Sequence, residues 1–227
     1  MTKREKLEEV KRQVEPIYKK LKCWPHGWLH IVKVVKSAKK LAQMEDTDPF
    51  LVQVAAYCHD LGRLEEERRG LVDPRPKTSL DHGEMSIEPT KKILAKIDVS
   101  GQGAEKILET IKIHPMRKYK GDNKIALILQ DADRSDGFGK MALRRFAAFN
   151  CELPIKEPTN KKIFDREFSK MIKLLKNDKK ARKRMIETLR YVAQWYEDLL
   201  NIDSAKKYLH KDYLFNINFL KQIESWD

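Results

Sequence analysis

What most constrains this chain is a period. Nearly every segment repeats its apolar residues at helical spacing, and no stretch alternates as a half-buried strand does. Such stripes can be buried only against other helices, so the expected fold class is all-α. Helices are expected over 3–21, 27–45, 49–61, 84–97, 102–114, 123–149, 161–177, 180–201 and 204–224. Gly62 is a candidate cap for the third of these, and Gly101, Gly103 and Gly121 mark breaks. Pro89 fits a helix that starts near Glu84 or Met85, because first-turn amides have no acceptor within the helix. Two connections lack any period: GLVDPRPKTSLD, residues 70–81, and CELPIKEPTN, residues 151–160. The second reads as a boundary between a core of residues 1–150 and a C-terminal helical extension, residues 151–227, packed on it.

Within this apolar pattern some polar residues do not fit. The run PFLVQVAAYC reads as a buried helix, yet it ends in His59 and Asp60. Burying both costs free energy unless something pairs with them. They sit about 100° apart around a helix axis, so both can reach a cation lying between them, just off the helix end. A His–Asp hydrogen bond that caps the helix is the alternative. His30 faces inward with Val34, Ala38 and Leu41. A further ligand would come from KIALILQDADRSDGFGK. There Ile125, Ile128, Leu129 and Ala132 define the inward face, and on a continuous helix Asp136 points inward, Asp133 lies on the shoulder and Asp131 points away. Geometry alone leaves Asp133 and Asp136 unseparated. Imidazole and carboxylate ligands suit Mn, Fe, Zn or Mg in different degrees, and Co or Ni are not distinguished from them.

The ordered set of His30, CHDLGR with His59 and Asp60, a DHxxxS element at His82, and ADR at Asp133 resembles the HD-domain superfamily of metal-dependent phosphohydrolases. The resemblance spans residues 20–145. It implies an HD-domain helical bundle with additional C-terminal helices, and a divalent metal held by His30, His59, Asp60 and Asp133, the aspartate of the A-D-R position. His82 and His114 fall where some branches place ligands of a second metal, with Asp60 as the bridging carboxylate; their other role would be to hold a phosphate. One or two ions are therefore implied. The implied catalytic set is Asp60, Arg63 and Asp133. Arg63 and Lys77 are the expected phosphate contacts, because arginine and lysine crowd the candidate ligands. Arg134 either contacts substrate or holds Asp133 or a helix end. Asp136 is a ribose contact, a carboxylate orienting the site, or a buried helix-pairing group. Asp81 orients His82 or caps its helix. The loop 70–81 is a substrate lid or an ordinary surface connection. The Gly-Tyr-Pro signature of the cyclic-dinucleotide branch is absent.

The expected reaction is hydrolysis of a nucleotide or other small phosphate ester or anhydride by metal-activated water. Two other readings stay open: a metal-binding regulatory module without turnover, and a basic helical protein that binds nucleic acid. The second draws on charge. Residues 156–190 hold 13 Lys and Arg against 5 Asp and Glu, +8 of the chain's +13. That block lacks the interleaved aromatics that stacking on bases requires. Three cysteines without close pairing point to reduced thiols and a cytoplasmic location, and the charged N-terminus does not read as a signal peptide. No run is long enough to span a membrane. Leu189, Val192, Tyr196 and Leu199 form one apolar face, which could cover the core or pair with another copy in an oligomer.

Overall fold

The computed structural model describes residues 1–22, 24–70 and 81–226 of the 227-residue chain. Among the described residues there are twelve α-helices and no strand. They form two compact units: Met1–Ser135 with Asn201–Ala205, and Asp136–Leu200 with Lys206–Asp227.

The first unit is organised around α3, Pro49–Cys58. Asp48 starts it by accepting from the Phe50 amide at 3.0 Å, with Pro49 in the first turn. Because α3 is apolar on all sides, it belongs in the interior, and Val52, Val54, Ala55, Ala56 and Cys58 are fully buried. Around it pack α1 (Lys3–Tyr18), α2 (Trp28–Met44), α7 (Gly101–Ile113) and α8 (Lys124–Arg134). A capping box between Thr2 and Glu5 starts α1. At the other end of α1 the Tyr18 hydroxyl donates to the Tyr57 carbonyl at 3.0 Å, tying α1 to the end of α3.

The described helices depart from the expected ones at three places, each with a physical cause. The third helix stops at Cys58 rather than 61, and the chain turns through 59–62 into a short helix, α4 (Arg63–Arg68), that periodicity did not reveal. Six residues carry too little pattern to read. Gly62 is not a left-handed cap, since its φ is −66°. Its role is close approach: a Cβ there would lie 2.3 Å from the His82 carbonyl oxygen. Second, the helix expected from 84 is two helices, α5 (Asp81–Met85) and α6 (Ile87–Lys96), with Pro89 in the first turn of α6. Third, the expected helix 123–149 is broken. After α8 comes a 3-10 turn, Ser135–Gly137, and then α9 (Lys140–Phe149) begins after Gly139 at φ +88°, a conformation that L side chains rarely adopt.

In the second unit α9, α10 (Lys161–Asn177) and α11 (Lys179–Gln194) pack on one another. Asn160 and Asp178 cap the last two, each accepting an amide at 2.9 Å. A π turn, Trp195–Leu199, ends α11. The final helix, α12 (Asp203–Glu224), returns Asn216 to bond the Gly139 amide and the Gly137 carbonyl, both at 2.9 Å. The basic block 156–190 forms most of α10 and α11, where Ala181, Arg182, Met185 and Leu189 are buried.

Candidate metal centre

Four histidines and two aspartates from five helices and turns meet inside the first unit. His30 comes from the first turn of α2, on the stripe of Ile31, Val34 and Ala38. His59 and Asp60 follow the last residue of α3. His82 lies on α5, His114 follows the end of α7, and Asp133 is in the last turn of α8. Helix ends are suited to this. There the stripe that buries a helix runs out, and a polar side chain can turn inward without breaking the packing behind it.

The two oxygens of Asp60 face different partners. Oδ2 lies 3.7 Å from His30 Nε2 and 3.6 Å from His59 Nε2. Asp133 Oδ1 completes that side, 3.3 Å from His30 Nε2 and 3.8 Å from His59 Nε2. Oδ1 of Asp60 lies 3.5 Å from His82 Nε2 and 3.6 Å from His114 Nε2. The last two ring nitrogens are 3.2 Å apart. His30, His59, Asp60, His82 and His114 are all buried, whereas the Asp133 side chain is 34% exposed and the Arg63 side chain 28%. Those two mark the open side of the cluster.

The donor set fits divalent cations. His59 Nδ1 is 2.8 Å from the Ala56 carbonyl, and His114 Nδ1 is 2.6 Å from the Ile111 carbonyl. A carbonyl only accepts, so each Nδ1 carries the proton and each Nε2 presents a lone pair to the cluster. His59 Nε2 is buried and has no hydrogen-bond partner. An orphaned acceptor of this kind, beside two carboxylates, is what a cation would satisfy. Burial pushes the His59 imidazole down to about 4, against the pull of Asp60 and Asp133, so it is neutral near pH 7. His82 is lowered by burial as well. Burial raises the Asp60 carboxyl, but Arg63, His59, His114 and His82 outweigh it and hold the group well below the usual carboxylate range. Asp133 is held low in the same way, its desolvation outweighed by His30 and His59. The cluster thus sets the neutral imidazoles of His59 and His82 beside the ionised carboxylates of Asp60 and Asp133.

The other expected residues are distributed as follows. Arg63 Nε is 3.4 Å from Asp60 Oδ1. Arg134 donates to the Arg117 carbonyl at 2.6 Å and approaches Asp131 at 3.4 Å. Asp136 belongs to the second unit, where Arg145 binds its carboxylate; the helix ends before it, so counting 100° per residue past Arg134 does not describe it. Asp131 does point away from the cluster, though not to solvent. It is fully buried and accepts from the Asn201 and Ile202 amides at 2.8 Å and 3.0 Å. Lys77 and the connection 71–80 lie outside the described residues, as does the side chain of Asp81.

Three further residues build the cluster without having been singled out. The buried Ser86 hydroxyl lies 2.8 Å from the Gly62 amide, 2.8 Å from the His59 carbonyl and 2.7 Å from the His82 carbonyl, joining the two histidine-bearing segments. Gln130 donates to the Met116 and His114 carbonyls at 2.9 Å and 3.2 Å, fixing the end of α7. Glu66, buried on α4, reaches Arg63 and His82. The DHxxxS spacing was a signal for Ser86; the other two had none.

An all-α bundle that gathers His30, His59–Asp60 and Asp133 in this order is the HD architecture, and residues 27–137 match the HD domain. Over residues 27–137 the chain carries an HD domain, with further helices C-terminal to it. Its fold is similar to that of Bacillus subtilis YpgQ, solved in complex with ADP: 19% identity, 99% of this chain and 96% of that chain covered, TM-score 0.63. It is similar also to an HD-superfamily hydrolase from Bacillus thuringiensis, at 19% identity over 98% of this chain and 97% of that one, TM-score 0.60. A predicted HD-superfamily hydrolase from an uncultured Thermotogales bacterium is 23% identical, with 85% and 92% covered and a TM-score of 0.50. At these identities the likeness is one of fold. No curated protein matches the sequence. No helix of the described residues is long and apolar enough to cross a membrane.

Proposed function

We propose that this protein is a metal-dependent phosphohydrolase acting on a nucleotide or other small phosphate ester or anhydride. The observation that carries this reading is the Asp60 carboxylate, with a pair of imidazole nitrogens within 3.7 Å of each of its oxygens. His30, His59, Asp60 and Asp133 would hold one divalent cation; His82, His114 and the other oxygen of Asp60 would hold a second. Cations so bound supply Lewis acidity toward a phosphoryl oxygen and an activated water. The chain's own residues do the rest. Asp60 stays anionic and can bridge both positions. Asp133 and Arg63 stand at the open side, and the Arg63 guanidinium, fixed by Glu66 at 2.8 Å, offers further N–H donors in a fork that matches phosphate. ADP bound to the similarly folded YpgQ supports a nucleotide as the substrate class.

The test is metal content per chain, measured on protein prepared without chelators or a histidine tag, beside His59→Ala and Asp60→Ala. One or two equivalents in the parent, lost in both variants, followed by phosphate release from at least one member of a nucleotide panel, is the expected result. A parent that takes up no Mn, Fe, Co, Ni, Zn or Mg would make the cluster a structural network and end the hydrolase reading.

A further inference from the structure

His59 and His114 have their proton-bearing nitrogen set by a backbone carbonyl. His82 differs: its Nδ1 is buried without a hydrogen-bond partner, and 3.4 Å away lies Oε1 of Glu66. Glu66 is itself buried, and its other oxygen accepts from Arg63 Nη1 at 2.8 Å. Arg63 Nε in turn lies 3.4 Å from Asp60 Oδ1, the oxygen that His82 Nε2 and His114 Nε2 also face. The four side chains Asp60, Arg63, Glu66 and His82 close a ring, in which Asp60 and His82 are candidate ligands and Arg63 and Glu66 are not.

We propose that Glu66 is a positioning residue for the second cation, acting through His82. The proposal rests on the two-cation form of the function above. A neutral imidazole has one proton for two nitrogens. A carboxylate beside Nδ1 draws the proton there, because an ionised carboxylate only accepts. The lone pair then stays on Nε2, pointing at Asp60 Oδ1 and the second position. With no acceptor beside Nδ1, the proton moves to Nε2, where Asp60 accepts it and the ligand is lost. Glu66 also balances Arg63, so that a guanidinium can sit next to a cation position without adding net charge to it. Partners of this kind typically change metal affinity by about 10-fold to 100-fold.

Two near-isosteric replacements separate positioning from packing. Glu66→Gln keeps an acceptor oxygen, and Glu66→Leu fills the same space with none. Each would be compared with the parent by calorimetric titration of metal-free protein with Mn, with elemental analysis of the loaded form and circular dichroism for folding. The expected result is a second equivalent weakened by at least about tenfold in Glu66→Leu, a first equivalent unchanged, and a second equivalent in Glu66→Gln within about threefold of the parent. His82→Ala should lose the same equivalent, and adding Glu66→Leu to it should change nothing further. A parent that binds two ions while Glu66→Leu binds both as tightly overturns the positioning role alone. A Gln variant as weak as Leu also overturns it and points to Arg63 charge balance. A parent that binds one ion ends both the two-cation form and this inference, and one that binds none ends the hydrolase reading itself.

Discussion

Asp60 is the one residue both halves of the cluster share, and single substitutions should reveal that. Asp60→Asn keeps the shape of the side chain and removes the charge, so both cations should be weakened together; Asp133→Asn should weaken only the one beside His30 and His59. Counting equivalents in the two variants distinguishes the cases, and equal losses would refute the shared role. The metal-free protein should also report the buried imidazoles through pH. His59 is lowered from an ordinary 6.5 to about 4 by burial, so between those values the folded chain holds fewer protons than the unfolded one. Stability is therefore complete above pH 6.5 and declines as pH falls toward 4, by on the order of 3 kcal/mol from this group. His82 is shifted in the same direction, and the lowered Asp60 and Asp133 extend the loss to more acid pH. Urea midpoints of chelator-treated protein at pH 7, 6 and 5 would check this; a flat profile would contradict it. At this scale much of the cluster was legible, because His and Asp at the ends of apolar helices stand out against their own pattern. Glu66 and Gln130 were not. Their histidine partners, His82 and His114, lie 16 positions away in other elements, where no period links them.

The elements decide whether the half-sites meet. Between His59–Asp60 and His82 the contact is made at Gly62, against which the backbone of α5 lies. The clash of an added Cβ with the His82 carbonyl at 2.3 Å involves backbone, not the end of a flexible side chain, so α5 would have to shift. Gly62→Ala should destabilise the fold by about 1–3 kcal/mol and weaken the cation that His82 binds more than the one His30 binds. Denaturant titration and metal stoichiometry together test this, and an Ala variant with parental stability and two equivalents would show that the approach is not required. The helical period disclosed most of the elements but not their junctions. The pattern runs unbroken through 123–149, yet α8 ends at Arg134 and a glycine at φ +88° comes just before α9. Asp131 shows the same limit. A helical wheel sets it off the core face and cannot know that residues 201–202 return to bury it.

At the scale of the whole chain, the candidate ligands of both proposed cations belong to one of the two compact units. A cation that binds only the folded state stabilises it by mass action, by about 2.7 kcal/mol at a free concentration of 100 times Kd. Because the ligands come from α2, α3, α5, α7 and α8, the gain should appear first in the amides of those helices, which local opening must break to release the ion. Amide hydrogen exchange followed by mass spectrometry, with and without Mn, should therefore show slowed exchange across 28–60, 81–85, 101–114 and 124–134, and near-parental exchange in α10 and α11. The thermal transition should rise on loading and fall on adding a chelator. A gain spread evenly over α10 and α11 would mean that the two units open as one cooperative body. Protection that rises in neither unit while metal is bound would mean that the ions sit elsewhere. The chain's +13 charge gives a separate handle on the same molecule. Attraction of an anionic substrate to so basic a chain is screened by salt, with a Debye length of about 10 Å at 0.1 M. Raising ionic strength should therefore lower kcat/KM for a nucleotide while leaving the protection pattern of the loaded core unchanged, because those candidate ligands apart from Asp133 are buried and that substrate arrives from solution.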